Sequence, residues 1–185
     1  MPYTPYHFGP SGFLGLVFRR WIDPVVFVLV NVLIDVEVLA DGYFDPGWPV
    51  HRLWHFHTLL VGGLVGAALG AIFYFVKPIR KFIETFMRMV FVPYRAGLWK
   101  MVTAGVLGAW LHVLIDSIYH YDVQTFWPYK KAVLYRWITL GQDSTVQQWI
   151  RRGCIVFWIL LAGVYILVLV KGCRKEKGNS VKMEQ

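Results

Sequence analysis

Long apolar runs alternate with short polar breaks along this chain, and the breaks carry most of the chemistry. The first run, Phe13 to Phe18, is far below the ~20 residues that cross a bilayer. Residues 1–20 are therefore expected to form an interfacial or re-entrant helix closed by Arg19 and Arg20. Asp23-Pro24 reads as an N-cap followed by proline at the first helical position. It predicts helix one from Pro24 to about Ala40, stopped by Asp41-Gly42, a short span rising about 25 Å. Helix two opens at His51 or His55 and runs to Val76. Its Gly62, Gly66 and Gly70 fall four apart on one face, where a neighbouring backbone can approach closely.

From Lys77 to Arg95 the pattern changes. Arg80, Glu84 and Arg88 share one face and Ile79, Phe82, Ile83, Phe86 and Val90 the other, which predicts a basic amphipathic helix lying in the membrane surface. A helix packed on its own bundle is the alternative. Helix three is expected over about Leu98 to Tyr119, with Ala104 and Gly108 as small packing positions. An aromatic loop, 121–143, leads to a capping box at Ser144–Gln147 and to helix four, which ends near Val170. No repeat and no second domain is visible. The reading is an all-α integral membrane protein with about four transmembrane helices plus amphipathic interfacial helices. Residues 1–170 form one membrane-embedded domain, and 171–185 a short basic tail expected to be disordered.

Composition agrees. Hydrophobic residues make up 57% of the 185 and charged residues 16%, against roughly 45–50% and 25% in soluble domains. Nine Trp and ten Tyr suit the interfacial belts of a membrane protein. The net charge of +8 would suit nucleic acid, but the basic residues are distributed otherwise. With both termini cytoplasmic, 13 of the 19 Lys and Arg fall on the inner side and 6 on the outer, as the positive-inside rule requires. The expected location is the plasma (inner) membrane, with anionic lipids as partners and no nucleic acid. No basic n-region with a small-residue cleavage site opens the chain, so no cleaved signal peptide is expected. Cys154 and Cys173 lie roughly 28 Å apart along helix four and cannot pair within it.

That topology brings three separate segments to one leaflet. Asp35 and Glu37 end helix one; His51, His55 and His57 open helix two; His112, Asp116 and His120 end helix three. Acidic residues inside apolar helices are costly and mark function by default. Imidazole is the commonest metal ligand and the natural proton carrier near neutral pH. His112, Asp116 and His120 share a helical face, as His51 and His55 would if helix two began that early. A carboxylate from helix one then completes an N/O site for a divalent transition metal, Zn²⁺ foremost. Asp35 and Glu37 stand about 200° apart on a straight helix and cannot both point inward unless the helix ends there. The assignment is Asp35, His51, His112 and Asp116 as metal ligands, with Glu37 and His57 as the acid/base groups. Whether His55 or His120 joins the site stays open. Against this stand plainer roles: His57 capping or stacking among Trp54 and Phe56, Asp41, Asp45 and Asp122 as solvated loop carboxylates, and His7 as an isolated surface histidine. No Ser nucleophile elbow, P-loop or dinucleotide fingerprint is present.

These same residues carry a resemblance. Asp35-Val36-Glu37, His51-Arg52 followed by His57-Thr58, and His112 with Asp116 resemble, in order and spacing, the motifs of the small membrane-bound metal-dependent hydrolases of the YdjM / LexA-binding inner-membrane type. The likeness covers roughly residues 10–130. Glu37 stands where the family usually has Asp, and the spacing from His51 to His57-Thr58 is stretched, with His55 between. The family's hydrolase label is an inference, and its H-x-x-x-D resembles that of zinc phospholipase C-type enzymes, which implies phosphoester or lipid substrates. The leading expectation is a membrane-bound metal-dependent hydrolase with its His/Asp site at the outer face. The rivals are a metal-ion or proton translocator, disfavoured because helix four has no mid-depth acid, and a non-catalytic membrane scaffold.

Overall fold

Eight helices make up the regular structure of the described residues, which in this computed structural model are 5–44, 51, 54–129, 131–139 and 143–183, the side chains of 143 and 173–183 excepted. They are α1 (Pro5–Val17), α2 (Pro24–Leu33), α3 (Val36–Phe44), α4 (Leu59–Phe75), α5 (Lys77–Met89), α6 (Leu98–Tyr119), α7 (Val133–Thr139) and α8 (Asp143–Met183). No strand occurs among the described residues. The fold is all-helical, and α6 and residues Ser144–Gly172 of α8 are long and apolar enough to cross a membrane. A third span results if the bent pair α4–α5 counts as one.

The bundle is built around α6, and small residues explain why. A Cβ added to Gly66 would strike the backbone of Gly105, and one on Gly105 would strike that of Gly66. Only hydrogen at both positions lets α4 and α6 touch backbone to backbone. One turn on, a Cβ on Gly108 would lie 2.5 Å from the Phe27 carbonyl oxygen, so α2 approaches α6 as closely. Asn31 locks that contact, its Nδ2 donating to the Gly108 carbonyl at 3.0 Å. Val26, Phe27, Val30, Ile34, Met101, Ala104 and Ala109 fill the space between. The expectation that the α4 glycines serve packing holds.

The N-terminal segment is more deeply engaged than its composition suggests. α1 wedges between α2 and α8. A Cβ on its Gly9 would sit 2.6 Å from the Cys154 carbonyl oxygen. His7 is buried as a result, and the surface role expected for it is corrected.

Helix one differs from expectation in a way that matters for the site. Asp23 caps α2 as its sequence predicts, accepting from Val25 N at 3.1 Å and Val26 N at 3.0 Å. The helix then breaks at Ile34-Asp35, where Asp35 N bonds Val32 O and Glu37 N bonds Ile34 O, three residues back. These tightened turns end α2 and restart the chain in a new direction as α3. α3 continues through Asp41-Gly42 to Phe44, so that pair is not the stop expected, and Asp41 is buried rather than solvated. Asp45 lies outside the described residues.

Helix two also begins later than expected. Thr58, not His51 or His55, caps α4, its Oγ1 accepting from Val61 N at 3.1 Å. His55 has φ 56°, a left-handed conformation that stops helical continuation. The i, i+4 chelation imagined for His51 and His55 on one helix is therefore absent.

α5 meets α4 at 86°, turned by an extended Val76 and by Pro78 in its first turn. Ile83 and Met87 are buried against the bundle, while Phe82 and Phe86 of the same apolar face stay exposed. α6 spans the residues expected of helix three. The aromatic loop contains the short α7. α8 continues past Val170 to Met183, since Lys, Arg and Glu beyond that point are good helix formers with no proline among them.

Candidate metal centre

The break in helix one solves a geometric problem. On a straight helix Asp35 and Glu37 would diverge, but the kink between α2 and α3 lets both reach His57. The His57 Nδ1 lies 2.8 Å from Glu37 Oε2. The same carboxylate holds the loop around that histidine: Oε1 accepts from Trp54 N at 2.6 Å and Oε2 from His57 N at 3.1 Å. Three bonds to one buried carboxylate set the course of residues 54–57 and fix which imidazole nitrogen of His57 faces inward.

That nitrogen, His57 Nε2, meets His112 Nε2 at 3.2 Å. His112 Nε2 lies 3.2 Å from Asp35 Oδ1 and 3.1 Å from Asp116 Oδ2. His57 Nε2 lies 3.8 Å from Asp35 Oδ1 and 3.7 Å from Asp116 Oδ2. The four atoms all fall within 4.8 Å of one another. His57, His112 and Asp116 are buried and Asp35 is half-buried.

Whether such a group suits a metal can be tested on these distances. Ligand atoms about 2.0–2.2 Å from a tetrahedral ion lie about 3.3–3.6 Å from one another. The edges observed, 3.1 to 3.8 Å, bracket that value. A neutral imidazole nitrogen makes one directed hydrogen bond, yet His112 Nε2 has three metal-ligating atoms around it at 3.1–3.2 Å, one imidazole nitrogen and two carboxylate oxygens. One hydrogen bond satisfies one of them; a cation at their centre satisfies all. The residues fit a four-ligand N₂O₂ site. Glu37 behind His57 supplies the carboxylate–histidine support that orients metal-binding imidazoles.

A second group adjoins the first. His51 Nδ1 lies 2.8 Å from Asp122 Oδ2. The His51 ring sits 4.7 Å from that of His120 and 4.6 Å from that of His57. His51, His120 and Asp122 are all buried, and their ligand atoms also lie within 4.8 Å of one another. Burial raises the Asp122 carboxyl, but His51 beside it outweighs this and holds it below its usual value. Burial pushes His120 down to about 4, so its imidazole is neutral.

Five of the six residues singled out by sequence thus divide between two neighbouring groups, and the sixth stands behind one of them. Asp35, His112 and Asp116 meet as one cluster, with His57 as the fourth member. His51 stands in the second group, and Glu37 stands behind His57. His55 belongs to neither; it stacks on Trp127 with ring centres 4.9 Å apart. His120 joins the second group.

Two participants lay outside the sequence reading. His7 Nε2 is 3.3 Å from Asp116 Oδ1, and its ring stacks on His112 at 4.4 Å. The signal was available in the small residues of α1: Gly9, Gly12 and Gly15 mark a helix that is packed, and Ser11 bonds back to the His7 carbonyl at 2.6 Å. Asp122, expected in solvent, is buried against His51. Its place two residues beyond His120, at the end of α6, was the only local hint.

With this geometry in place, comparison with known proteins gives one result. The family model described as YdjM inner membrane protein matches residues 14–176, which include both groups and leave out only His7 of the residues around them. No curated protein and no solved structure matches the chain.

Proposed function

The chain belongs to the YdjM inner membrane protein family, and from that premise we propose that it is a membrane-bound metal-dependent hydrolase whose ion, Zn²⁺ foremost, is held by Asp35, His57, His112 and Asp116. The observation carrying this reading is the arrangement around His112 Nε2, with three metal-ligating atoms at 3.1–3.2 Å. A divalent ion held there supplies Lewis acidity and acidifies water, which is what ester hydrolysis at neutral pH needs.

The chain's own residues take the remaining roles. Glu37 is a positioning residue: its oxygens are already committed to His57 Nδ1 and to two backbone N–H groups, so it turns His57 Nε2 inward and takes no proton from a substrate. His51 is better placed for that task. Its Nδ1 faces Asp122 at 2.8 Å, which favours the tautomer with Nε2 as the acceptor, and its ring lies 4.6 Å from that of His57. The geometry thus favours exchanging two roles read from the sequence: His57 for His51 as ligand, and His51 for His57 as the acid/base group. His7 buttresses Asp116 from the opposite side.

The substrate class that suits such a site, by analogy, is a phosphoester or lipid ester. The cluster lies at the C-terminal end of α6, where a lipid headgroup would meet it. We further propose that α2 and α3 together form a broken fourth crossing, with both termini cytoplasmic and the cluster at the outer face. The test is hydrolysis. Purified full-length protein should cleave a generic phosphoester or carboxylic ester, lose that activity to a chelator, and regain it with Zn²⁺. Cleavage that a chelator leaves unchanged would overturn the reading.

A further inference from the structure

The far end of the bundle carries a second candidate site, distinct from the cluster. A cavity of about 400 Å³ opens there between the α1–α2 turn, the start of α6 and the segment after α5. Arg19, Arg20, Arg95 and Lys100 line it with Tyr94 and Asp23. Beside it runs an apolar groove of about 470 Å³ between α1, α2, α5 and α8, lined by Leu16, Val28, Phe86 and Leu161 among others. Pro24 and Met87 belong to both walls, so the basic cavity and the groove are immediate neighbours.

The two parts are held in register. Arg19 Nη1 donates to the Leu16 carbonyl at 2.9 Å, which ties a cation of the cavity to a residue of the groove. Asp23 N donates to the Lys100 carbonyl at 3.2 Å, which fixes the start of α6 beside the α2 cap. Asp23 is the one acid in the lining, and its oxygens are engaged: Oδ1 accepts from Val25 and Val26 and Oδ2 from the Tyr94 hydroxyl. Four cations therefore face one acid that is already turned inward.

We propose that this end of the bundle binds one anionic phospholipid, with its phosphate headgroup among Arg19, Arg20, Arg95 and Lys100 and an acyl chain in the groove. Both volumes suit ligand sites, and basic pockets between membrane helices are known to suit anionic headgroups. A free phosphate would use the cavity but not the groove. The lipid is not a substrate of the cluster: along α6, Lys100 and Asp116 are 16 residues apart, about 24 Å by helical rise. Its role is to seat α1, α5 and α8 against α2.

The experiment uses the full chain in dodecyl maltoside micelles, with melting followed as phosphatidylglycerol, phosphatidylcholine or soluble glycerol 3-phosphate is titrated. Phosphatidylglycerol should raise the Tm saturably, and the other two should not. The double substitution Arg95→Gln with Lys100→Gln should weaken the apparent affinity about 25-fold, about fivefold for each cation lost. Val28→Trp, which fills the groove without changing charge, should also weaken it. Arg151→Gln with Arg152→Gln, at the other end, should leave it unchanged. All variants should keep the metal content of the unsubstituted protein, so the result stands apart from the hydrolase reading. Equal stabilisation by phosphatidylcholine, or full affinity in the double variant, would overturn the proposal. So would glycerol 3-phosphate acting as well as the lipid.

Discussion

Glu37→Gln tests the support behind the metal centre with a change of one atom. In the native arrangement both carboxylate oxygens face N–H donors: Trp54 N at 2.6 Å on Oε1, and His57 N and Nδ1 at 3.1 and 2.8 Å on Oε2. An amide offers one acceptor oxygen and one NH₂ group. With its oxygen toward Trp54, the NH₂ confronts the His57 backbone N–H and Nδ1. Flipped, it confronts Trp54 N. Either way a buried donor is left unpaired, at a cost of about 1–3 kcal/mol. The orientation and tautomer of His57 are loosened as well, and losing such support weakens metal binding by about 10–100-fold. The assay is a zinc affinity measured by competition with a chromogenic chelator, alongside thermal melting without added metal. The expected result is a lower Tm and a 10–100-fold weaker affinity, with an ion still bound at saturation. Unchanged affinity with a lowered Tm would mean that Glu37 merely ties down the loop, and would refute the reasoning. Complete loss of binding in a protein that still folds would make Glu37 a ligand and refute it from the other side.

Other outcomes follow from the same geometry. His51→Ala and Asp122→Asn should keep the ion of the main cluster and slow hydrolysis by about 10²–10⁴-fold, read as kcat beside metal content; loss of that ion would return His51 to the ligand set. If the second group also holds an ion, these two variants lose one of two equivalents. Gly105→Ala should destabilise the fold by about 1–3 kcal/mol, because its Cβ strikes the Gly66 backbone; melting measures this, and an unchanged Tm would contradict the close α4–α6 contact. Chelation of the purified protein should lower its Tm, since an ion present at 100 times its Kd adds about 2.7 kcal/mol; an identical Tm with and without chelator would count against a resident metal.

Much of this was legible in the sequence because apolar length and periodicity are local. The limits of α6, the Asp23 cap of α2 and the glycine face of α4 follow from rules that act within a few residues. The departures arose where distant partners decide local shape. Asp35 and Glu37 look like an awkward pair on one helix; the break at Ile34-Asp35 lets both reach His57, some twenty residues on. Helix two starts at Thr58 rather than His51 because the Glu37 carboxylate captures the backbone of Trp54 and His57. Periodicity holds no trace of either bond. His7 was missed because a lone histidine ahead of a short apolar run does not by itself signal burial. The three glycines that follow it, Gly9, Gly12 and Gly15, were the better guide. Asp122 reads as a loop acid because burial in a loop depends on what folds over it, here His51 from the far side of the chain. The residue types of the candidate site were thus visible, while the division into two groups, and with it the choice between His51 and His57, needed the three-dimensional structure.

The central claim is that Asp35, His57, His112 and Asp116 hold a metal ion, and elemental analysis of purified full-length protein tests it most directly. The account predicts about one equivalent of a divalent transition metal at this cluster, present after purification or taken up from stoichiometric Zn²⁺, and lost in His112→Ala under identical handling. Protein that carries no metal and binds none when it is offered, or His112→Ala protein with the metal content of the parent, would contradict it.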